Sequence, residues 1–169
     1  VERAVSVSAG AFHSLALTSS GAVWSWGQGG LGALGHGDDD DDDDEQDECQ
    51  PKKVEAFAES RVVAVSARYE HSLAITADGA AWSWGNGAWG RLGHGDRQTQ
   101  PLPKKVEAFA GKRVVVVSAG TTHCLAITAD GAVWSWGGGA SGQLGHGDTR
   151  DQLLPKKIEA LAGQRVVAV

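Results

Sequence analysis

The sequence predicts an all-β chain, more narrowly a partial β-propeller of three four-stranded blades plus the first strand of a fourth. Three observations carry this. The run Gly131-Ala-Val-Trp-Ser-Trp-Gly137 returns as Gly79-Ala-Ala-Trp-Ser-Trp-Gly85 and Gly21-Ala-Val-Trp-Ser-Trp-Gly27. Self-similarity at a period of about 50 residues marks an array whose units stack to bury a shared core. Around these runs the apolar residues follow strand and not helix spacing. The 24 Gly, against four Pro, recur in register, so they punctuate short strands and do not mark a disordered tract.

Arg3, Arg61, Arg113 and Arg165 fall at equivalent positions and divide a single 169-residue domain into repeats 3–60, 61–112 and 113–164, with 165–169 beginning another. Each repeat opens on an apolar run, Val62-Val-Ala-Val65 or Val114-Val-Val-Val117, which suits a strand covered on both faces. His71-Ser-Leu-Ala-Ile-Thr76 follows as a second strand, with Leu73 and Ile75 on one side. Asp78-Gly79, Asp130-Gly131 and Ser20-Gly21 then read as hairpin turns, Asp and Gly both tolerating positive φ. The third strand places Trp24 and Trp26, Trp82 and Trp84, and Trp134 and Trp136 in pairs on one face, since side chains two apart share a face. Such ring pairs are suited to filling the space between stacked sheets.

A Gly-rich passage, Gly90-Arg-Leu-Gly-His-Gly-Asp96 in the second copy, reads as a long loop. Pro51, Pro103 and Pro155 precede Lys-Lys-Val-Glu-Ala-Phe or its equivalent, where Val54 and Ala56 alternate with Lys53, Glu55 and Phe57 in an expected fourth strand. The pairs Lys52-Lys53, Lys104-Lys105 and Lys156-Lys157 suit an outer edge that must not recruit another sheet, or a recognition stripe. With the most apolar strand first and the most charged last, each unit runs from hub to rim of a propeller blade.

Net charge is −6, yet ten of the 21 acidic residues lie in the segment 38–48. The body is therefore mildly basic, and the overall balance says little about partners. Asp38, Asp39, Asp40, Asp41, Asp42, Asp43 and Asp44 make the first repeat six residues longer than the others. Their mutual repulsion predicts an extended, solvated insertion, either tolerated or in contact with a basic partner or loosely held Ca²⁺. No long apolar stretch or basic leader predicts a membrane span. Cys49 and Cys124 fall at different repeat positions and predict neither a disulfide framework nor a zinc site, so a reducing compartment, cytoplasm or nucleus, is expected.

His13, His71 and His123 recur in one phrase, and His36, His94 and His146 in the other. Ligands recruited once per blade would lie on different blades, unlike ordinary zinc sites. The expected role is structural, each ring bonding a neighbouring backbone group and fixing a turn. Gly-rich segments lie between strands and not between a strand and a helix, so no nucleophile elbow, phosphate loop or dinucleotide motif is present. No catalytic residue, cofactor or metal is expected.

The phrases Ala-Gly-x-x-His-Ser-Leu-Ala-Ile-Thr, Asp-Gly-x-Val-Trp-Ser-Trp-Gly and Gly-x-Leu-Gly-His-Gly-Asp resemble the repeats of the regulator of chromosome condensation family over essentially the whole chain. The resemblance implies a closed propeller of about seven blades, of which this chain would be just under half. Lys-Lys-Val-Glu-Ala-Phe-Ala-Gly-x-Arg-Val-Val also resembles repeat blocks of the giant HECT-type ubiquitin ligases. Nucleotide exchange in the family implies a protruding wedge, which the acidic insertion does not supply. A light-sensing member of the family looks as if it uses Trp just before the repeat His, where this chain has Phe12, Glu70 and Thr122. The expected function is a non-enzymatic protein-interaction platform within a larger protein. An exchange factor for a small GTPase and the substrate-recruiting part of a ubiquitin ligase are the alternatives. The expected partner is a protein, a small GTPase or a basic protein, with neither membrane nor nucleic acid indicated. Bare terminal blade faces predict self-association of the 169-residue chain.

Overall fold

The tight turn at the middle of the second repeat is built by one glycine and one carboxylate. Gly79 takes φ +86°, the left-handed region that a Cβ disfavours, and its N–H donates to Thr76 O at 2.8 Å. Asp78 keeps a negative φ, so the glycine alone is left-handed in this hairpin. Its Oδ1 instead accepts from Thr76 Oγ1 (2.6 Å) and Ala80 N (3.2 Å), closing a three-residue loop by side-chain bonding.

The computed structural model describes residues 2–37 and 47–169. Among these, twelve strands form three antiparallel sheets, each in sequence order. The first blade holds β1 (Ala4–Ala9), β2 (His13–Thr18), β3 (Val23–Gly27) and β4 (Glu48–Lys53). The second holds β5 (Val62–Arg68), β6 (His71–Thr76), β7 (Ala81–Gly85) and β8 (Gln100–Lys105). The third holds β9 (Val114–Ala119), β10 (His123–Thr128), β11 (Val133–Gly137) and β12 (Gln152–Lys157). First strands of successive blades pack on one another, β1 on β5 and β5 on β9, which places them at the hub and the Lys-bearing strands at the rim. At the hub Ser8 Oγ accepts from Ala67 N (2.9 Å), and Ser66 Oγ from Ala119 N (3.0 Å), linking each blade to the next.

Four local expectations are corrected. The apolar first strands are not covered on both faces. A bulge skips Val5, Val63 and Val115 in the pairing with the second strand, and all three face solvent, because an extra residue re-aims the side chains that follow it. The fourth strand ends at Lys53, Lys105 or Lys157, four residues before the end of the Val-Glu-Ala-Phe pattern. Glu55–Phe57 and Glu107–Phe109 are 3-10 turns, and the turn swings Phe57 and Phe109 inward against the next blade. The strand gains instead at its start, so Glu48 belongs to β4 and not to the acidic segment, with Cys49 following it in the strand. Finally, 165–169 pairs with no strand, because β-structure needs a partner and the described residues offer none beside it.

Candidate functional site

The seams between blades are where the recurring aromatic and imidazole residues meet. Trp84 and Trp136 are 0% exposed, each lying against the preceding blade. Their indole N–H groups donate across the seam, Trp84 Nε1 to Ala33 O (3.0 Å) and Trp136 Nε1 to Arg91 O (2.8 Å). Phe57 packs on Trp82 and Trp84 at centroid distances of 5.6 and 5.8 Å. Phe109 packs on Trp134 and Trp136 at 5.6 and 5.7 Å, spacings at which edge-on aromatic pairs attract. Gly93 explains why the loop phrase needs glycine: its φ is +78°, and a Cβ there would sit 2.9 Å from Trp136 Nε1. Trp82 and Trp134 are half-buried, each bonding a threonine of its own blade, Thr76 or Thr128. Trp24 and Trp26 are half-buried on the outer side of the first blade.

The two histidine sets do different jobs, and each makes side-chain bonds beside the backbone bonds that the sequence leads one to expect. His36, His94 and His146 each place Nε2 within 2.9–3.0 Å of Ser25, Ser83 or Ser135, the central residue of Trp-Ser-Trp. The serine hydroxyls donate to Leu34, Leu92 and Leu144 carbonyls, tying the glycine-rich loop down on its own blade. His13 and His71 instead cross the seams, to Ser72 Oγ at 2.8 Å and Cys124 Sγ at 3.3 Å. Burial holds His13 at a pKa of about 4, a backbone hydrogen bond with Tyr69 working in the opposite sense. Burial, then the charge of Arg91, holds His71 at about 3. Burial pushes the Cys124 thiol up. Both seam imidazoles are therefore neutral at pH 7.

The end of each blade that carries the β1–β2 turn and the start of the β3–β4 loop forms one face. Gln28 N donates to Phe12 O and Asn86 N to Glu70 O, which sets turn and loop side by side. Here lie Phe12 (63% exposed), Leu31 (48%), Tyr69 (41%) and Trp89 (45%). Leu31, Tyr69 and Trp89 are also the non-glycine residues with positive φ among the described residues, at 57°, 54° and 58°. Bulky side chains are rare in that region, and residues held there cluster at functional sites.

Arg91 anchors this face. It is 0% exposed, donates from Nε to Ala88 O and from Nη1 to Thr121 O, both at 3.1 Å, and stacks 4.9 Å from Trp89 and 5.9 Å from Tyr69. Its Nη2 has no hydrogen-bond partner. Burial lowers its pKa, opposed by the charge of Glu70. At the equivalent point of the first seam stands Ala33, and a cavity of about 120 Å³ opens there. Phe12, His13, Gln28, Leu31, Tyr69 and Glu70 form its walls, with Gly30 and Ala33.

The lysine pairs sit on the outermost strands in identical register, Lys52 opposite Ser25, Lys104 opposite Ser83 and Lys156 opposite Ser135. Lys53, Lys105 and Lys157 stand opposite the first Trp of each pair. Lys52 is partly answered by Glu48 (2.7 Å). They thus lie on the rim, away from the aromatic face. Asp38, Asp39, Asp40, Asp41, Asp42, Asp43 and Asp44 lie outside the described residues. Among the described residues no group of three or more His, Cys, Asp or Glu is placed to hold a metal, and no helix is long and apolar enough to cross a membrane. Phe12, Leu31, Tyr69, Trp89 and Arg91 were not singled out from the sequence. The available signal was that Tyr69, Trp89 and Arg91 depart from the small or polar residues at the same points of the third copy, Thr121, Ser141 and Gln143.

Comparison with known proteins gives consistent matches. Models of the regulator of chromosome condensation (RCC1) repeat match residues 20–75, 78–127 and 130–169, and a second such model matches 4–33, 62–91 and 114–143. The chain is 42% identical to the human E3 ubiquitin-protein ligase HERC2 over 167 residues, covering 98% of this chain and 3% of the ligase. It is 39% identical to the ultraviolet-B receptor UVR8 of Arabidopsis thaliana over 166 residues, covering 98% of this chain and 36% of the receptor. Among solved structures it resembles Prp20p of Saccharomyces cerevisiae, described with its binding to Gsp1p and histones. That match has TM-score 0.81 at 26% identity and covers 96% of this chain and 40% of Prp20p.

Proposed function

The chain belongs to the regulator of chromosome condensation repeat family, and from that premise we propose that it is a non-enzymatic protein-interaction platform, a propeller segment that reads its partner with one loop face. The carrying observation is the coincidence of exposure with constraint: Leu31, Tyr69 and Trp89 are large, outward-facing and held at positive φ. Exposed aromatic residues on a rigid frame are the groups that dominate protein–protein binding. Partner and activity of the larger relatives, of which this chain spans a small share, enter as proposals. A ligase-associated role in substrate recruitment is favoured by the match to HERC2. Nucleotide exchange is the second reading, favoured by Prp20p, which is described with Gsp1p. Either places the protein in cytoplasm or nucleus with a small GTPase or a basic protein as partner.

The test compares two variants in quantitative affinity capture by the chain. Replacing Phe12, Leu31 and Trp89 with Ser should abolish capture of the proteins that the unmodified chain retains. Replacing Lys52, Lys104 and Lys156 with Gln should leave it intact. Loss with the lysine variant alone would move the reading surface to the rim.

A further inference from the structure

We propose that the open seam between the first and second blades is a receptor for an arginine side chain presented by a protein partner. This rests on the platform reading and names the chemistry of one part of that face. The two seams are built from equivalent residues, so the filled one shows what the open one accepts. In the second seam the guanidinium of Arg91 lies between the blades, stacked on Trp89 and bonded to Ala88 O and Thr121 O. In the first seam the corresponding side chain ends at the Cβ of Ala33. The space beyond it is the cavity of about 120 Å³, whose walls Gly30, Leu31 and Tyr69 are the repeat equivalents of Ala88, Trp89 and Thr121.

Glu70 borders both seams, and its charge also acts on Arg91 in the filled one. Glu70 lines the open cavity where the filled seam has Thr122. Its Oε2 accepts from Asn86 Nδ2 at 2.8 Å, which fixes the carboxylate at the cavity and leaves its other oxygen for a ligand. The Tyr69 carbonyl, counterpart of the Thr121 carbonyl that Arg91 uses, is already bonded to Ala11 N at 2.8 Å, so the carboxylate replaces it as the acceptor. Phe12 and Tyr69 supply aromatic walls. A carboxylate beside aromatic rings selects a planar, weakly hydrated cation that stacks and donates at once, which favours guanidinium over ammonium. His13, also in the wall, is neutral at pH 7 because it is buried, so it adds no opposing charge. A partner's arginine would complete the first seam from outside as Arg91 completes the second from within.

The experiment titrates the ¹⁵N-labelled chain with N-acetyl-arginine-N-methylamide, with the lysine and citrulline analogues as controls, and follows amide shifts. Saturable shifts confined to Phe12, Leu31, Tyr69 and Glu70 are expected for arginine, at least threefold weaker for lysine and absent for citrulline. Glu70→Gln, which keeps the size of the side chain, should weaken arginine binding about tenfold. Ala33→Arg should abolish it by filling the cavity, and Ala33→Leu serves if that variant does not fold. Equal shifts for citrulline, shifts centred elsewhere, no shifts at all, or arginine binding that survives filling of the cavity would overturn the proposal. The platform reading fails separately: it falls if the Phe12, Leu31 and Trp89 variant still captures its partners. It stands if that variant loses them while Glu70→Gln and Ala33→Arg do not, a result that would sink only the arginine receptor.

Discussion

The two seams of this molecule are built on one plan and finished differently. Both are keyed by a buried second tryptophan donating to a loop carbonyl, backed by a phenylalanine from the 3-10 turn and crossed by a neutral histidine. They part at several points. Ala33 stands opposite Arg91, Ser72 opposite Cys124, and the Ala11–Tyr69 backbone bond of the first seam is replaced by the Arg91–Thr121 bond of the second. The shared phrases carry cohesion, while single positions between them decide whether a seam is closed or leaves room for a ligand. This is the division expected of a repeat protein, in which neighbour interfaces supply stability and loops on one face supply specificity.

The largest expected effect tests the shared part. Trp84→Ala and Trp136→Ala should each lower stability by about 3–5 kcal/mol, as large-to-small changes in a core do. Trp26→Ala, at a half-buried position on no seam of this chain, should lower it by less than about 1 kcal/mol. Denaturant unfolding with the three variants in parallel measures this, and equal losses would break the claim that seams, and not tryptophan content, hold the array.

The next effect is a pH dependence that both seams share. The folded-state pKa values of His13 and His71 are depressed to about 4 and about 3, below the ordinary 6.5. Between these limits the unfolded chain binds more protons than the folded one, so stability is full above pH 6.5 and falls as pH drops below it. Each ring contributes a slope of up to about 1.4 kcal/mol per pH unit. Urea unfolding between pH 7 and 5 should show the decline, and His13→Gln should remove a part of it, burial of His94, His123 and His146 carrying its own share.

Much of this was legible in the sequence because repetition made weak signals strong. Three copies of Trp-Ser-Trp and of the Asp-Gly or Ser-Gly turn located the second and third strands to within a residue. The fourth strand was misplaced because Lys53 to Phe57 alternates as a strand would, while Phe57 is drawn into the seam by Trp82 and Trp84. Tertiary burial outweighed local pattern there. The histidines' partners were hidden for a similar reason: Ser72 and Cys124 belong to the following blade, and a one-dimensional reading does not show which residue a stacked neighbour presents. The cavity was least legible, since an alanine in one copy and an arginine in another look like ordinary drift until their surroundings are seen to be equivalent.

The smallest expected effect concerns the acidic insertion, which belongs to the first blade alone. Deleting Asp39 to Asp44 should change stability by no more than about 0.5 kcal/mol, the closure entropy of a modest change in loop length. The flanking anchors persist, Gly37 N to Pro101 O at 3.1 Å and Gly29 N to Asp47 Oδ1 at 3.0 Å. Thermal unfolding of the shortened chain gives the answer, and loss of the folded state would assign the insertion a structural role.

The central claim is that one repeat position decides which seam is open, and the crystal structure of the exchange variant Ala33→Arg, Arg91→Ala tests it most directly. The account predicts that the cavity beside Phe12 and Tyr69 disappears, that an equivalent cavity opens between Glu70 and Thr121, and that both tryptophan keys keep their bonds. A structure in which the first seam stays open around the new arginine, or the second closes without Arg91, would contradict it.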